Sequence, residues 1–145
     1  MNILKILTGK RLTGNFGEKK AAAFLKKKGY RILERGYVGN GNEIDIVASI
    51  DGTVVFVEVK TRSIGSENPK EPRPASSVTP EKQRKIIRAS SEFMRTRRLS
   101  QRMRYDVVEV YLENRKNKKR VKEIKHLLNT FDISTAYSRH FSNSN

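Results

Sequence analysis

The chain has 145 residues, with 31 Lys and Arg against 15 Asp and Glu, a net charge of +16 and no cysteine. That length fits one domain with a buried core; the missing cysteines exclude disulfides, zinc–thiolate sites and thiol catalysis; no apolar run approaches the roughly 20 residues of a membrane span. The basic excess points to a polyanionic partner, nucleic acid ahead of a membrane surface, and a cytoplasmic protein is expected.

Residues 1–12 read as a basic N-terminal arm, whose Ile3, Leu4, Ile6 and Leu7 suit docking on the core. No charged lead-in precedes this short apolar run and no small-residue cleavage site follows it, so a signal peptide is not expected. A helix is expected from Thr13 to about Lys28, capped by Thr13 or Asn15 and ended by Gly29. Ala21, Ala22, Phe24 and Leu25 supply its apolar stripe. Glu18 falls in its first turn, which suits both the positive end of the helix dipole and a place beside an acidic site. Lys19 and Lys20 lie on its basic surface.

Tyr30–Val38 reads as a first strand, and Gly39-Asn40-Gly41-Asn42 as a turn. Two apolar strands follow, 42–47 and 54–60, joined across Asp51-Gly52, a strong hairpin signal. Strand alternation places Glu43 and Asp45 on one face with Ile44 and Ile46 on the other, and gathers Phe56, Glu58 and Lys60 on a common face. Glu43, Asp45, Glu58 and the Lys60 ammonium are therefore expected to share one side of the hairpin. Carboxylates crowded this way repel one another unless something positive neutralises them. An oxygen-only ligand set suits Mg²⁺ or Mn²⁺, with Lys60 placed to orient a water or stabilise developing charge.

Thr61–Val78 holds three of the four prolines and reads as a long loop overhanging the acidic face. Thr79-Pro80-Glu81 starts a second helix with a capping residue and a proline at the first helical position. Ile86, Ile87, Ala89, Phe93 and Met94 form its apolar face, and Lys82, Arg84 and Lys85 belong to its basic one. A fourth strand spans 102–112, in which Asp106 is expected to pair with an arginine. Asn114–Arg120 is a charged hairpin turn, and a last strand runs from Val121 to Leu128 with His126 half buried. The Ser- and Asn-rich stretch from Asp132 to Asn145 reads as a disordered tail.

The predicted order is thus helix, three strands, helix, two strands, an α/β arrangement with a mixed sheet over residues 13–131. Gly14-x-x-Gly17-Glu18 with Ala21, Glu43-Ile44-Asp45, Phe56-Val57-Glu58-Val59-Lys60-x-Arg62, Lys82 and Arg104-Tyr105-Asp106-Val107-Val108 occur in that order. The sequence resembles the PD-(D/E)XK nuclease superfamily and, more closely, the YraN-like family of small bacterial proteins predicted to be endonucleases. The resemblance covers about residues 14–131 and implies a restriction-endonuclease-like αβββαβ core. It implies a metal held by Asp45 and Glu58, a catalytic Lys60, Glu18 as a helix acid beside the metal, and an assisting role for Glu43. Lys82 would approach the scissile strand, with Arg62, Lys19, Lys20, Arg84 and Lys85 as further nucleic-acid contacts. Asn42 stands where the family usually has glycine, and Gly36 where asparagine is usual.

Two functions follow as expectations. One is a Mg²⁺- or Mn²⁺-dependent nuclease hydrolysing phosphodiester bonds, with DNA as the expected substrate and a homodimer suited to cutting two strands. The other is a non-catalytic nucleic-acid-binding module on the same fold.

Overall fold

The computed structural model describes residues 3–64 and 78–138, with backbone alone for 3–13. A first helix, α1 (Ile3–Lys27), precedes three strands, β1 (Arg31–Gly39), β2 (Asn42–Ile50) and β3 (Thr53–Ser63). Helix α2 (Pro80–Thr96) follows, then β4 (Arg102–Arg115), β5 (Lys118–Leu127) and a short α3 (Ile133–Tyr137). The five strands form one mixed sheet in chain order. Neighbours are antiparallel except β3 and β4, which run parallel from Thr53↔Arg102 to Ser63↔Leu112. The crossover between that parallel pair contains α2, since parallel neighbours need a long connection.

The expected αβββαβ order is therefore present, and local chemistry explains most of it. Asn40-Gly41 and Asp51-Gly52 all take positive φ, the conformation of tight two-residue hairpin turns. Gly29 ends α1 at φ +93°, and the Tyr30 amide reaches back to the Leu25 carbonyl at 3.0 Å, a Schellman closure. At α2, Thr79 accepts from the Lys82 amide at 3.2 Å, with Pro80 in the first turn.

The sheet has a core on each face. On one side Ala21, Ala22 and Leu25 of α1 pack on Ile46, Ala48, Val55, Val57, Val108 and Val110. On the other, Ile86, Ala89, Phe93 and Met94 of α2 pack on Val47, Val54, Phe56, Tyr105 and Val107. Phe56 stacks on Tyr105 at 5.7 Å and meets the Phe93 edge at 5.8 Å. Each such pair adds about 0.5–1.5 kcal/mol beyond its buried area.

Four expectations change. Helix α1 begins at Ile3 rather than near Thr13, because Gly9 and Gly14 lower helix propensity without breaking a hydrogen-bonded ladder. The docking expected of Ile3, Leu4, Ile6 and Leu7 lies outside the described side chains. The loop expected from Thr61 starts later, since β3 continues to Ser63; the expected overhang, over 65–77, lies outside the described residues. The Asn114–Arg120 turn shrinks to Lys116-Asn117, with Arg115 paired to Lys118. The first residues of the expected tail form α3, capped by Asp132, which accepts from the Thr135 amide at 2.9 Å while the Thr135 hydroxyl accepts from the Asp132 amide. Ala136 is buried and Phe131 anchors the preceding turn, so this piece belongs to the domain.

Candidate active site

Asp45 sits where β2 parts from β3. The ladder between them ends at Ile46↔Val57, and beyond it the Asp45 side chain takes over, its Oδ2 accepting the Val59 amide at 2.8 Å. Across from Asp45, β1 carries Gly36 at φ +63°, a left-handed residue in mid-strand. Alternation breaks here. Ile44 enters the α2-side core and Ile46 the α1-side core, so the two do not share a face as expected. The irregularity brings the Asp45 carboxyl to the gap between strands, where the Val59 amide would otherwise lack a partner.

Glu58 comes from β3, two residues beyond buried Phe56 on the same face, and is itself buried. Its carboxyl and that of Asp45 are hydrogen-bonded to each other. Burial pushes the Glu58 pKa up to about 7; the Asp45 charge adds to this, and Lys82 and Lys60 oppose it. Asp45 is likewise raised by burial, against the Val59 amide and Lys82. As pH falls through about 7 the pair gains a proton, which lets Glu58 donate to Asp45.

Two cations face the pair from different elements. Lys60 Nζ lies 3.9 Å from Glu58 Oε1 and is partly exposed. Lys82 stands in the first turn of α2 and lowers both carboxyl pKa values through space. A helix N-terminus disfavours a cation, so the carboxyls give Lys82 its electrostatic reason to be there. Glu18 is near enough for its carboxyl to be raised by burial and by the Asp45 charge, while Arg35 at 3.7 Å opposes this.

The site residues expected from sequence divide accordingly. Asp45, Glu58, Lys60 and Lys82 come together, with Glu18 at their margin. Glu43 is exposed and acts on Asp45 and Glu18 only through its charge. Among the described residues no group of three or more acids, histidines or cysteines is arranged around one ion position. The protein side of a metal site here would be two carboxyls, with the remaining positions left to water and phosphate oxygen.

The outer cations differ among themselves. Lys19 and Lys20 are exposed on α1, the latter over the Phe16 ring at 5.4 Å. Arg62 is partly exposed beyond Lys60. Lys85 pairs with Glu81 at 3.5 Å. Arg84 instead donates to the Ala136 carbonyl at 3.0 Å and lies over the Tyr137 ring, so it holds α3 in place. The reading of the sequence missed Arg35, whose place opposite Glu18 depends on the bulge of β1 between Ile32 and Glu34. It also missed the Val59 amide, for which the one signal is an Asp at the end of a strand ladder.

Asp106 is structural, as expected, with more partners than one arginine. It accepts from Arg104 Nε and Nη2, both at 2.9 Å, and from the Asn129 amide at 2.9 Å. His126 Nε2 meets Asp106 at 2.8 Å and Nδ1 meets Lys28 Nζ at 3.0 Å; its ring is almost fully buried.

Fold and site together define a mixed-sheet α/β protein in which buried Glu58 and partly buried Asp45 form a carboxyl pair flanked by two lysines. No described helix is long and apolar enough to cross a membrane. The chain belongs to the uncharacterised protein family UPF0102, whose family model matches residues 17–110. A UPF0102 protein of Alkaliphilus oremlandii (strain OhILAs) is 40% identical over 121 residues, 81% of this chain and 96% of that protein. One from Caldicellulosiruptor saccharolyticus is 43% identical over 123 residues, covering 84% and 98%. One from Syntrophus aciditrophicus is 45% identical over 102 residues, covering 70% and 77%. These names give the family and no activity.

Proposed function

We propose that this protein is a divalent-metal-dependent phosphodiesterase acting on nucleic acid, with DNA as its substrate. The observation that carries this reading is the hydrogen-bonded pair of Asp45 and Glu58 with Lys60 at 3.9 Å. A buried carboxyl, Glu58, against the partly buried Asp45 is costly when both are charged, and a hard cation in place of their shared proton would relieve that cost. The donor set, oxygen without sulfur or imidazole, fits Mg²⁺ or Mn²⁺.

Asp45 and Glu58 would hold the ion. When bound, it would supply charge neutralisation at the phosphate under attack. The chain's own groups do the rest. The Val59 amide fixes the rotamer of Asp45. Lys60, tethered by Glu58, orients the attacking water. Lys82 offers a second positive charge to the phosphate from the start of α2. The net charge of +16 supports a polyanionic substrate and draws it in from a distance.

The test is a cleavage assay with Mg²⁺ or Mn²⁺ on branched, nicked and single-stranded DNA. Wild type is expected to cut at least one of these, with Asp45→Ala and Lys60→Ala slower by 100-fold or more. Metal-independent binding with no cutting of any substrate would leave a nucleic-acid-binding module. Cutting by Asp45→Ala at the wild-type rate would remove the site assignment.

A further inference from the structure

Most of the charged segment that joins β4 to β5 is paired strand, closed by a turn at Lys116-Asn117. β3 ends its pairing at Ser63↔Leu112. Beyond that point, among the described residues, β4 and β5 pair only with each other, through Glu113↔Arg120, Asn114↔Lys119 and Arg115↔Lys118. A two-stranded ribbon thus projects past the sheet, and every residue from Asn114 to Arg120 is exposed.

Glu113 opposite Arg120 is its one complementary charge pair, and the tip beyond it works against its own stability. Arg115 faces Lys118 across the strands, and like charges directly opposite each other are destabilising. Lys116 and Asn117 form the turn at φ 52° and 61°, and lysine is an uncommon residue in that conformation. Glu113 is the one acid in the ribbon. Arg115, Lys116, Lys118 and Arg120 line an open hollow of about 500 Å³. Cations concentrated at such cost call for an anionic partner that fills the space between them.

Shape and position narrow that partner. A two-stranded β-ribbon fits the major groove of a duplex, which is about 12 Å wide. Glu58 is in register with Val107, so the turn lies nine residues further along β4. At ~3.3 Å per residue this is about 30 Å, close to the ~34 Å of one duplex turn. We propose that the Glu113–Arg120 ribbon docks in a groove of duplex nucleic acid, about one helical turn from the Asp45–Glu58 pair. The inference rests on the nucleic-acid reading of that pair and narrows it to double-stranded substrates.

The experiment is equilibrium binding in EDTA, across salt, to a 25-base-pair duplex, a matched single strand, polyglutamate and phosphatidylserine vesicles. It compares wild type with Arg115→Gln/Lys116→Gln/Lys118→Gln/Arg120→Gln, and with a control neutralising exposed Lys26, Arg31, Arg95 and Arg102. The ribbon variant is expected to lose at least about tenfold in duplex affinity near 0.1 M salt, and its salt slope to fall by about 3. The control, and the single strand with either variant, are expected to change less than threefold. An unchanged duplex slope overturns the proposal, as does an equal loss on single strand, polyglutamate or vesicles. Should the quadruple variant not fold, Arg115→Gln alone is expected to lower the slope by about 0.9, and no change overturns it. Because no divalent ion is present, a wild type that cuts nothing leaves this test standing, and a ribbon that fails it leaves the cleavage test standing.

Discussion

Gly17 of α1 lies directly against Thr61 of β3. A Cβ built on Gly17 would overlap Thr61 Oγ1 and come within 3.0 Å of its Cγ2. The close approach seats α1 on the sheet and sets Glu18, the next residue, beside Arg35 at 3.7 Å. Gly17→Ala is therefore expected to destabilise the protein by about 1–3 kcal/mol, although alanine is the better helix former. Thr61→Ala, which removes both Oγ1 and Cγ2, is expected to restore most of that loss. A double-mutant cycle by urea denaturation measures it, and additive losses would show that the two residues do not press on each other.

The carboxyl pair makes stability depend on pH. Glu58 has a folded pKa of about 7 against a usual 4.5, so the folded state holds a proton that the unfolded chain gives up earlier. Stability from this proton is full below about pH 4.5 and is lost as pH rises through 7. In EDTA at pH 8, Glu58→Gln is expected to be more stable than wild type by roughly 2–3 kcal/mol. The gain is expected to vanish near pH 4.5. Thermal melts across that range test it, and a variant less stable than wild type at pH 8 would contradict charge strain at Glu58.

Asp106 behaves in the opposite sense. Burial alone would raise its pKa, but hydrogen bonds from His126, Arg104 and the Asn129 amide outweigh this and hold it below the usual 3.8. Its contribution is therefore present above pH 3.8 and lost as pH falls through the lower folded value. Asp106→Ala is expected to cost about 3–5 kcal/mol at pH 7, because it strands Arg104 and the buried His126 ring. The difference from wild type should shrink below pH 3.8. A deficit under 1 kcal/mol at neutral pH would show that the network holds little.

Gly36 is needed for its backbone alone. At φ +63° an added Cβ would find Glu43 Oε1 at 3.6 Å, an ordinary contact. Gly36→Ala is expected to cost about 1 kcal/mol and Gly36→Asn much less, since asparagine tolerates this conformation. Equal losses from the two substitutions, measured by chemical denaturation, would place the cost elsewhere.

Much of this was readable from the chain. The Val- and Ile-rich strands, the Asn40-Gly41 and Asp51-Gly52 turns and the Thr79-Pro80 helix start are local signals, and the structure obeys them. Asp45, Glu58 and Lys60 were legible together because a hairpin with that turn has a nearly fixed register. Glu43 was not, since strict alternation assumes an even strand. The left-handed Gly36 and the departure of β2 from β3 at Asp45 break that alternation, and neither is a property of residues 42–46. Helix α3 was hidden by a tail rich in Ser and Asn, although Asp132-x-x-Thr135 is a reciprocal capping pattern. Arg84 read as a nucleic-acid contact because its carbonyl partner, Ala136, lies 52 residues away.

The Asp45–Glu58 pair is expected to exchange its proton for a divalent ion. Calorimetric titration with Mn²⁺ at pH 6.5, in two buffers of different ionisation enthalpy, measures ion and proton together. One ion per chain is expected to bind wild type with release of a proton, and Asp45→Asn and Glu58→Gln are expected to abolish binding. Mn²⁺ that does not bind, or that binds both variants as it binds wild type, would show that the pair is not an ion site.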